Sequence, residues 1–189
     1  MENSNNKFFN KLFNKEDSRP LIIAELSGNH NNSLDKAINL IEAASNCGVD
    51  AIKIQTYTAD TMTIKSNKND FIVNNPGSPW DKKNLYELYD DAHTPWEWHG
   101  EIISYANKLG LSWFSTPFDI TAVKFLEQFD PTIYKIASPE ILDLALIEEC
   151  AKTGKGLIIS TGMASLSEIE QAVETARKYG CNNFCLLKC

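Results

Sequence analysis

From Pro20 onward the sequence repeats one unit, a short apolar run followed by a polar turn and then by apolar residues at helical spacing. Nothing else constrains the fold as strongly. The run LIIAE ends at Glu25 and passes through a Gly and Asn loop to Ser33, a residue type suited to cap a helix. Leu34, Ala37, Ile38, Ile41 and Ala44 then recur at helical spacing, and Gly48 closes the segment. Five more apolar runs follow, at Ala51–Gln55, Leu111–Ser115, Thr132–Ala137, Gly156–Ser160 and Phe184–Lys188. Predicted helices over Trp96–Leu109, Thr121–Phe129, Leu142–Thr153 and Leu166–Tyr179 separate the later runs, three of them ended by Gly110, Gly154 and Gly180. Such alternation predicts parallel strands joined by right-handed crossovers, an α/β fold.

Two parallel architectures compete, the closed eight-stranded (β/α)8 TIM barrel and the open doubly wound sheet. Polar residues help to choose between them. They recur late in nearly every strand: Glu25, Lys53 with Gln55, Ser115 with Thr116, Lys135, Ser160 with Thr161, and Lys188. A barrel draws its site from the C-terminal ends of many strands, whereas an open sheet concentrates it at one switch point. No G-x-G-x-x-G follows the first strand, which lowers the dinucleotide-binding alternative. The prediction is a TIM barrel of which six strands precede Cys189, over residues 20–189, with residues 1–19 as an N-terminal arm or cap. Phe8, Phe9, Leu12 and Phe13 in that arm suit one short amphipathic turn.

The stretch TIYKIASPE carries the chemistry most openly. Ile133, Tyr134, Ile136 and Ala137 surround Lys135 and run into Ser138 and Glu140. A lysine is rarely buried without a partner, so Lys135 asks either for a salt bridge to a neighbouring strand or for an anionic ligand. Alternation puts Lys53 and Gln55 on the face opposite Ile52 and Ile54. In a barrel Lys53 and Lys135 would then meet at the mouth. At an effective dielectric of about 20, a lysine about 4 Å from an anion contributes on the order of 4 kcal/mol before desolvation is subtracted. Hydroxyls at Thr116, Ser138 and Ser160 would add neutral donors, a set that fits a phosphate or a phosphorylated carboxylic acid. Glu140 and Glu25 could serve as general acid or base.

A net charge of −7 offers no basic stripe for a phosphate backbone, which argues against nucleic acid as a partner. With no apolar run of membrane-span length and no signal-peptide pattern, the expected location is the cytoplasm, away from membranes. The odd number of cysteines, five, fits reduced thiols, and Cys181, Cys185 and Cys189 read as small hydrophobes on a strand rather than as a metal site. His93 and His99 read as structural or lid residues; His30 lies in the first strand-to-helix loop beside Asn29. The connection Thr56–Thr94 is far longer than usual. Its aromatic run suits either a lid over a ligand or a surface hairpin pinned by Trp80 and Tyr86.

The motifs IIAELSGNH, AIKIQTYTADTMT, FSTPFD, YKIAS-x-E and ISTGMAS, in this order, resemble those of the sialic acid synthases. Those enzymes condense phosphoenolpyruvate with an amino sugar to make nonulosonic acids. The segment DFIVNNPGSPWDKKNLYELYDDAHTPWEWH is similar to the branch that takes 2,4-diacetamido-2,4,6-trideoxy sugars. The resemblance implies a metal-dependent barrel, with Mn2+ or Mg2+, in which C3 of phosphoenolpyruvate attacks the open-chain aldehyde, water adds at C2 and phosphate leaves by C–O cleavage. It places Lys53, Thr116, Lys135, Ser138 and Ser160 on phosphoenolpyruvate, Glu140 near the C2 chemistry, and Glu25 on the sugar and metal side. Gln55, Asn29 and His30 fall within matching motifs as substrate contacts. It also implies that the metal-binding histidines and an antifreeze-like domain that completes a homodimer lie beyond Cys189, so that residues 1–189 alone would lack a complete site. A reading of another class is that the 189-residue chain binds an anion or a partner and catalyses nothing.

Overall fold

The computed structural model describes residues 4–14 and 19–189. Its six strands are β1 (Ile23–Glu25), β2 (Ala51–Thr56), β3 (Ser112–Pro117), β4 (Ile133–Ile136), β5 (Gly156–Ser160) and β6 (Phe184–Leu187). All pairs are parallel, and the strands stand side by side in sequence order. A doubly wound sheet reverses its order at a switch point; this sheet never does, so it grows as a barrel wall grows.

Helices α2 (Leu34–Asn46), α5 (His99–Lys108), α6 (Ile120–Leu126), α7 (Leu144–Lys152) and α8 (Leu166–Lys178) cover the outer face. The short α3 (Ala59–Met62) and α4 (Leu85–Ala92) lie in the long connection. Caps explain several boundaries. Ser33 accepts from the Lys36 amide, Asp119 from those of Thr121 and Ala122, and Ser165 forms a capping box with Glu168. The predicted helix over Trp96–Leu109 is in fact a 3-10 turn at Trp96–Trp98 followed by α5, and that over Leu142–Thr153 starts only at Leu144. There Asp143 accepts from the Leu146 amide at 3.0 Å and restarts the chain after the 3-10 turn Pro139–Leu142.

Strand alternation sorts the core into three parts. Outward-facing Ile52, Ile54 and Trp113 pack with Ile41 of α2 and Ile102 of α5. Outward-facing Tyr134, Ile136, Leu157 and Ile159 pack with Leu126, Ile147 and Ala172 of α6, α7 and α8. Inward, Ala51, Phe114, Ile133 and Ile158 fill the barrel floor together with Phe8. Apolar groups plug the lower barrel, so the polar late-strand residues above them are left to line its mouth.

Phe8 belongs to α1 (Ser4–Phe13), ten residues where the sequence suggested a single turn. Residues 1–3 and 15–18 of the predicted arm lie outside the described residues. The helix sits under the starts of the strands: Ser112 Oγ donates to the Ser4 carbonyl at 2.7 Å, and the Trp113 amide to Asn5 Oδ1 at 2.9 Å. Phe8 stacks on Phe114 with ring centroids 6.0 Å apart. Gly156 makes room for the other end of α1, because a Cβ there would stand 2.6 Å from the Phe13 ring. Truncating Phe8 to alanine is expected to cost about 3 kcal/mol of stability, read from the urea midpoint. An unchanged midpoint would mean that α1 is no part of the core. Among the described residues, no helix is long and apolar enough to cross a membrane.

Candidate active site

The late, inward positions of β1 to β5 carry Glu25, Lys53, Gln55, Thr116, Lys135 and Ser160, and period two turns them all to one side. With Ser138, just past β4, they line a cavity of about 470 Å3 whose floor includes Phe114 and Ile158. The register sets neighbours across the wall: Glu25 stands opposite Lys53, and Gln55 opposite Thr116. Seven of the ten predicted site residues therefore meet in one place.

The two lysines differ in what holds them. Lys53, 7% exposed, is ion-paired with Glu25 and donates to Thr116 Oγ1 at 3.2 Å. Its pKa is lowered, burial outweighing the opposite pull of Glu25. Lys135, also 7% exposed, donates to Ser160 Oγ at 2.6 Å and to the Ile136 carbonyl at 2.8 Å. Both of those partners are neutral. Burial, and then the charge of Lys53, push its pKa down to about 8. The salt bridge to a neighbouring strand that Lys135 might have made is made by Lys53 instead. Lys135 is the cation that an incoming anion would relieve.

Glu140 stands in the 3-10 turn Pro139–Leu142, half-buried, beside rather than in the cavity lining. Its Oε2 is buried without a hydrogen-bond partner, and burial raises its pKa against the opposing pull of Lys135. Ser138 Oγ accepts from the Gly162 amide at 3.3 Å and lies 3.2 Å from Cys189 Sγ. Of the three cysteines read as strand hydrophobes, Cys181 is buried and Cys185 half-buried, but Cys189 is exposed at this rim.

Asn29 and His30 part company with that group and with each other. Asn29 lines a second cavity, of about 770 Å3, which shares Gln55 with the first. His30 is fully buried and lines neither. Its Nδ1 accepts from the Asn32 amide at 3.1 Å, its Nε2 lies 3.3 Å from Thr94 Oγ1, and its ring meets Trp98 edge-on. It fastens the first loop to the start of α5. His99, also buried, bonds Thr56 Oγ1 at 2.8 Å behind β2, and burial lowers its pKa to about 4.

The sequence reading missed Tyr57, Leu88 and Tyr89, which line the second cavity with Trp80. The aromatic content of the long connection was the available signal. Residues 73–83 of that connection do form a hairpin, the Val73 and Lys82 amides donating to the Lys83 and Val73 carbonyls at 2.9 and 2.8 Å. Tyr86 pins the adjoining helix by donating to Asp60 Oδ1 at 3.1 Å, but Trp80 is left 53% exposed.

Among the described residues no three of His, Cys, Asp and Glu converge as a cation site, and the cavity-lining Glu25 is bonded to Lys53. These residues do not by themselves fit the divalent metal that the resemblance implies.

A parallel wall that adds its strands in sequence order, with two lysines and a row of hydroxyls at its C-terminal end, defines part of a (β/α) barrel. The chain belongs to the NeuB family, whose model matches residues 40–189. It is 46% identical over 170 residues to the pseudaminic acid synthase of Helicobacter pylori, covering 90% of this chain and 49% of that one. To the N,N'-diacetyllegionaminic acid synthase of Campylobacter jejuni it is 36% identical over 174 residues, covering 90% of this chain and 51% of the other. The solved N-acetylneuraminic acid synthetase of Leptospira borgpetersenii superposes with a TM-score of 0.76 at 30% identity, over 90% of this chain and 54% of that one. The chain thus spans about half the length of the curated relatives it matches.

Proposed function

We propose that these residues form the phosphoenolpyruvate half of a pseudaminic acid synthase. The full chain would condense phosphoenolpyruvate with 2,4-diacetamido-2,4,6-trideoxy-L-altrose to give pseudaminic acid and phosphate. The observation that carries this reading is the Lys135 ammonium, buried at the barrel mouth on neutral partners and close enough to Lys53 to feel its charge. Phosphoenolpyruvate is a small dianion or trianion with a phosphate and a carboxylate, and two ammonium groups beside three hydroxyls are complementary to it.

In this reading Lys53 and Lys135 hold the two anionic ends, and Thr116, Ser138 and Ser160 donate to the remaining oxygens. C3 of the bound enol then forms a bond to the aldehyde carbon of the sugar, whose oxygen takes up a proton. Water adds at C2, and the C–O bond to phosphate breaks. Glu140, its carboxyl lifted by burial and facing the charge of Lys135, suits proton transfer at C2 or at the attacking water. Glu25, its side chain 38% exposed, is the acid that the approaching sugar would meet, and phosphoenolpyruvate would compete with it for Lys53. The pattern of relatives favours the pseudaminate branch over the legionaminate one, at 46% against 36% identity. As the resemblance implies, the full protein would act as a homodimer with a divalent metal held by residues other than the described ones.

Turnover by the full chain tests this directly. Phosphate release is expected only when both substrates are present, with a label in the bridging oxygen of phosphoenolpyruvate recovered in phosphate. Retention of that label in the sugar product, or a preference for N-acetylmannosamine over the trideoxy sugar, would sink the assignment.

A further inference from the structure

The anion chemistry leaves the second cavity unused. Its volume, about 770 Å3, suits a substituted hexose, and Gln55 stands on the boundary between it and the lysine cavity. Its wall has two characters: amides from Asn29, Asn31 and Gln55, and apolar surface from Tyr57, Trp80 and Leu88. Lys83 and Asp91 on its lining offset one another, so unlike its neighbour it carries no excess of positive charge. Amides beside aromatic faces, with no net positive charge, match a neutral, polyhydroxylated or acetamido ligand.

The local fold supports a preformed wall. Gly28 packs so closely under the end of α4 that a Cβ there would lie 2.9 Å from the Ala92 carbonyl. The Tyr57 ring is held edge-on by Phe118 at 5.2 Å and Tyr89 at 6.1 Å. Burial raises its phenol to about 12, so it stays a neutral hydroxyl. Trp80, by contrast, is a large apolar side chain left half exposed at the cavity edge.

We propose that this cavity seats the amino sugar and that Tyr57, Trp80 and Leu88 make it selective for a sugar bearing a methyl group and acetamido groups over one bearing hydroxyls. The proposal rests on the synthase reading of the neighbouring cavity. Carbon–carbon bond formation needs the reacting carbons about 3–3.5 Å apart. Adjoining cavities that share Gln55 would let two ligands meet end to end, with the aldehyde end at Gln55 and the substituted end against the aromatic wall. An apolar wall rejects an added hydroxyl by roughly 100-fold at most, and that sets the scale of the discrimination.

The test uses Trp80→Ala and Leu88→Asn in the full chain, with calorimetric titration of 2,4-diacetamido-2,4,6-trideoxy-L-altrose and, separately, of phosphoenolpyruvate. Sugar affinity is expected to fall about tenfold or more in each variant, with phosphoenolpyruvate affinity within about twofold of wild type. Preference for this sugar over N-acetylmannosamine should fall by about the same factor. Unchanged sugar affinity in both variants overturns the proposal, as does a parallel loss of both ligands. If the wild type turns over no sugar with phosphoenolpyruvate, the synthase reading fails on its own. The sugar titration then still decides: binding lost in Trp80→Ala supports the cavity, and no binding to wild type removes it.

Discussion

Lys135→Met in the full chain is expected to raise KM for phosphoenolpyruvate by about 100-fold or more, because the variant keeps the buried stem and loses the ammonium. A charge about 4 Å from an anion at an effective dielectric of about 20 is worth on the order of 4 kcal/mol before desolvation, and a loss of about 2.7 kcal/mol is already 100-fold. Among the described residues Lys135 has no ion-pair partner to leave stranded, its bonds being to Ser160 and the Ile136 carbonyl, so the variant should fold. The wild type adds a pH signature. Burial and Lys53 hold the Lys135 pKa at about 8, below the usual lysine value. Below that pH the group is cationic and binds an anion fully; as pH rises through about 8 it loses its proton, and affinity should fall with it. The methionine variant should lack that fall. A KM within threefold of wild type would mean that Lys135 does not touch the substrate.

Glu140→Gln should act on kcat instead. Loss of a positioned acid or base typically costs about 100- to 10,000-fold, and glutamine preserves size and shape while removing the titratable carboxyl. The carboxyl is the buried, unpartnered oxygen of the described structure, with a raised pKa beside a lysine, which is how a group kept for proton transfer differs from one kept for a salt bridge. Phosphoenolpyruvate affinity should change little, since Glu140 lies outside the cavity lining. A kcat within threefold of wild type would reduce Glu140 to a structural residue.

Period two made most of the site legible. Once Ile52 and Ile54 are assigned to the helix side, Lys53 and Gln55 must face inward, and the same rule applied to β3, β4 and β5 delivers Thr116, Lys135 and Ser160 to the same mouth. The rule stops where the strands stop. Within the strands it separates even Ser115 from Thr116, which look equivalent by residue type: Ser115 faces outward and bonds Thr56 Oγ1 at 2.7 Å. In the loops no period applies: Asn29 and His30 are adjacent, but one lines a cavity and the other is buried with both ring nitrogens engaged. Whether Lys135 or Lys53 would be neutralised was beyond a single sequence as well. It depends on Glu25 falling opposite Lys53, a matter of register. The second cavity was hidden for another reason, since its wall joins Tyr57 to Trp80 and Leu88 through a hairpin and a short helix that composition alone could not fold.

The most direct test of the whole account is titration of phosphoenolpyruvate into the full chain and into its Lys53→Met and Lys135→Met variants, from pH 6 to pH 9. One equivalent should bind to the wild type, weakening as pH passes about 8, with affinity reduced about 100-fold in each variant. Binding that both variants retain would contradict the assignment of the lysine cavity as the phosphoenolpyruvate site.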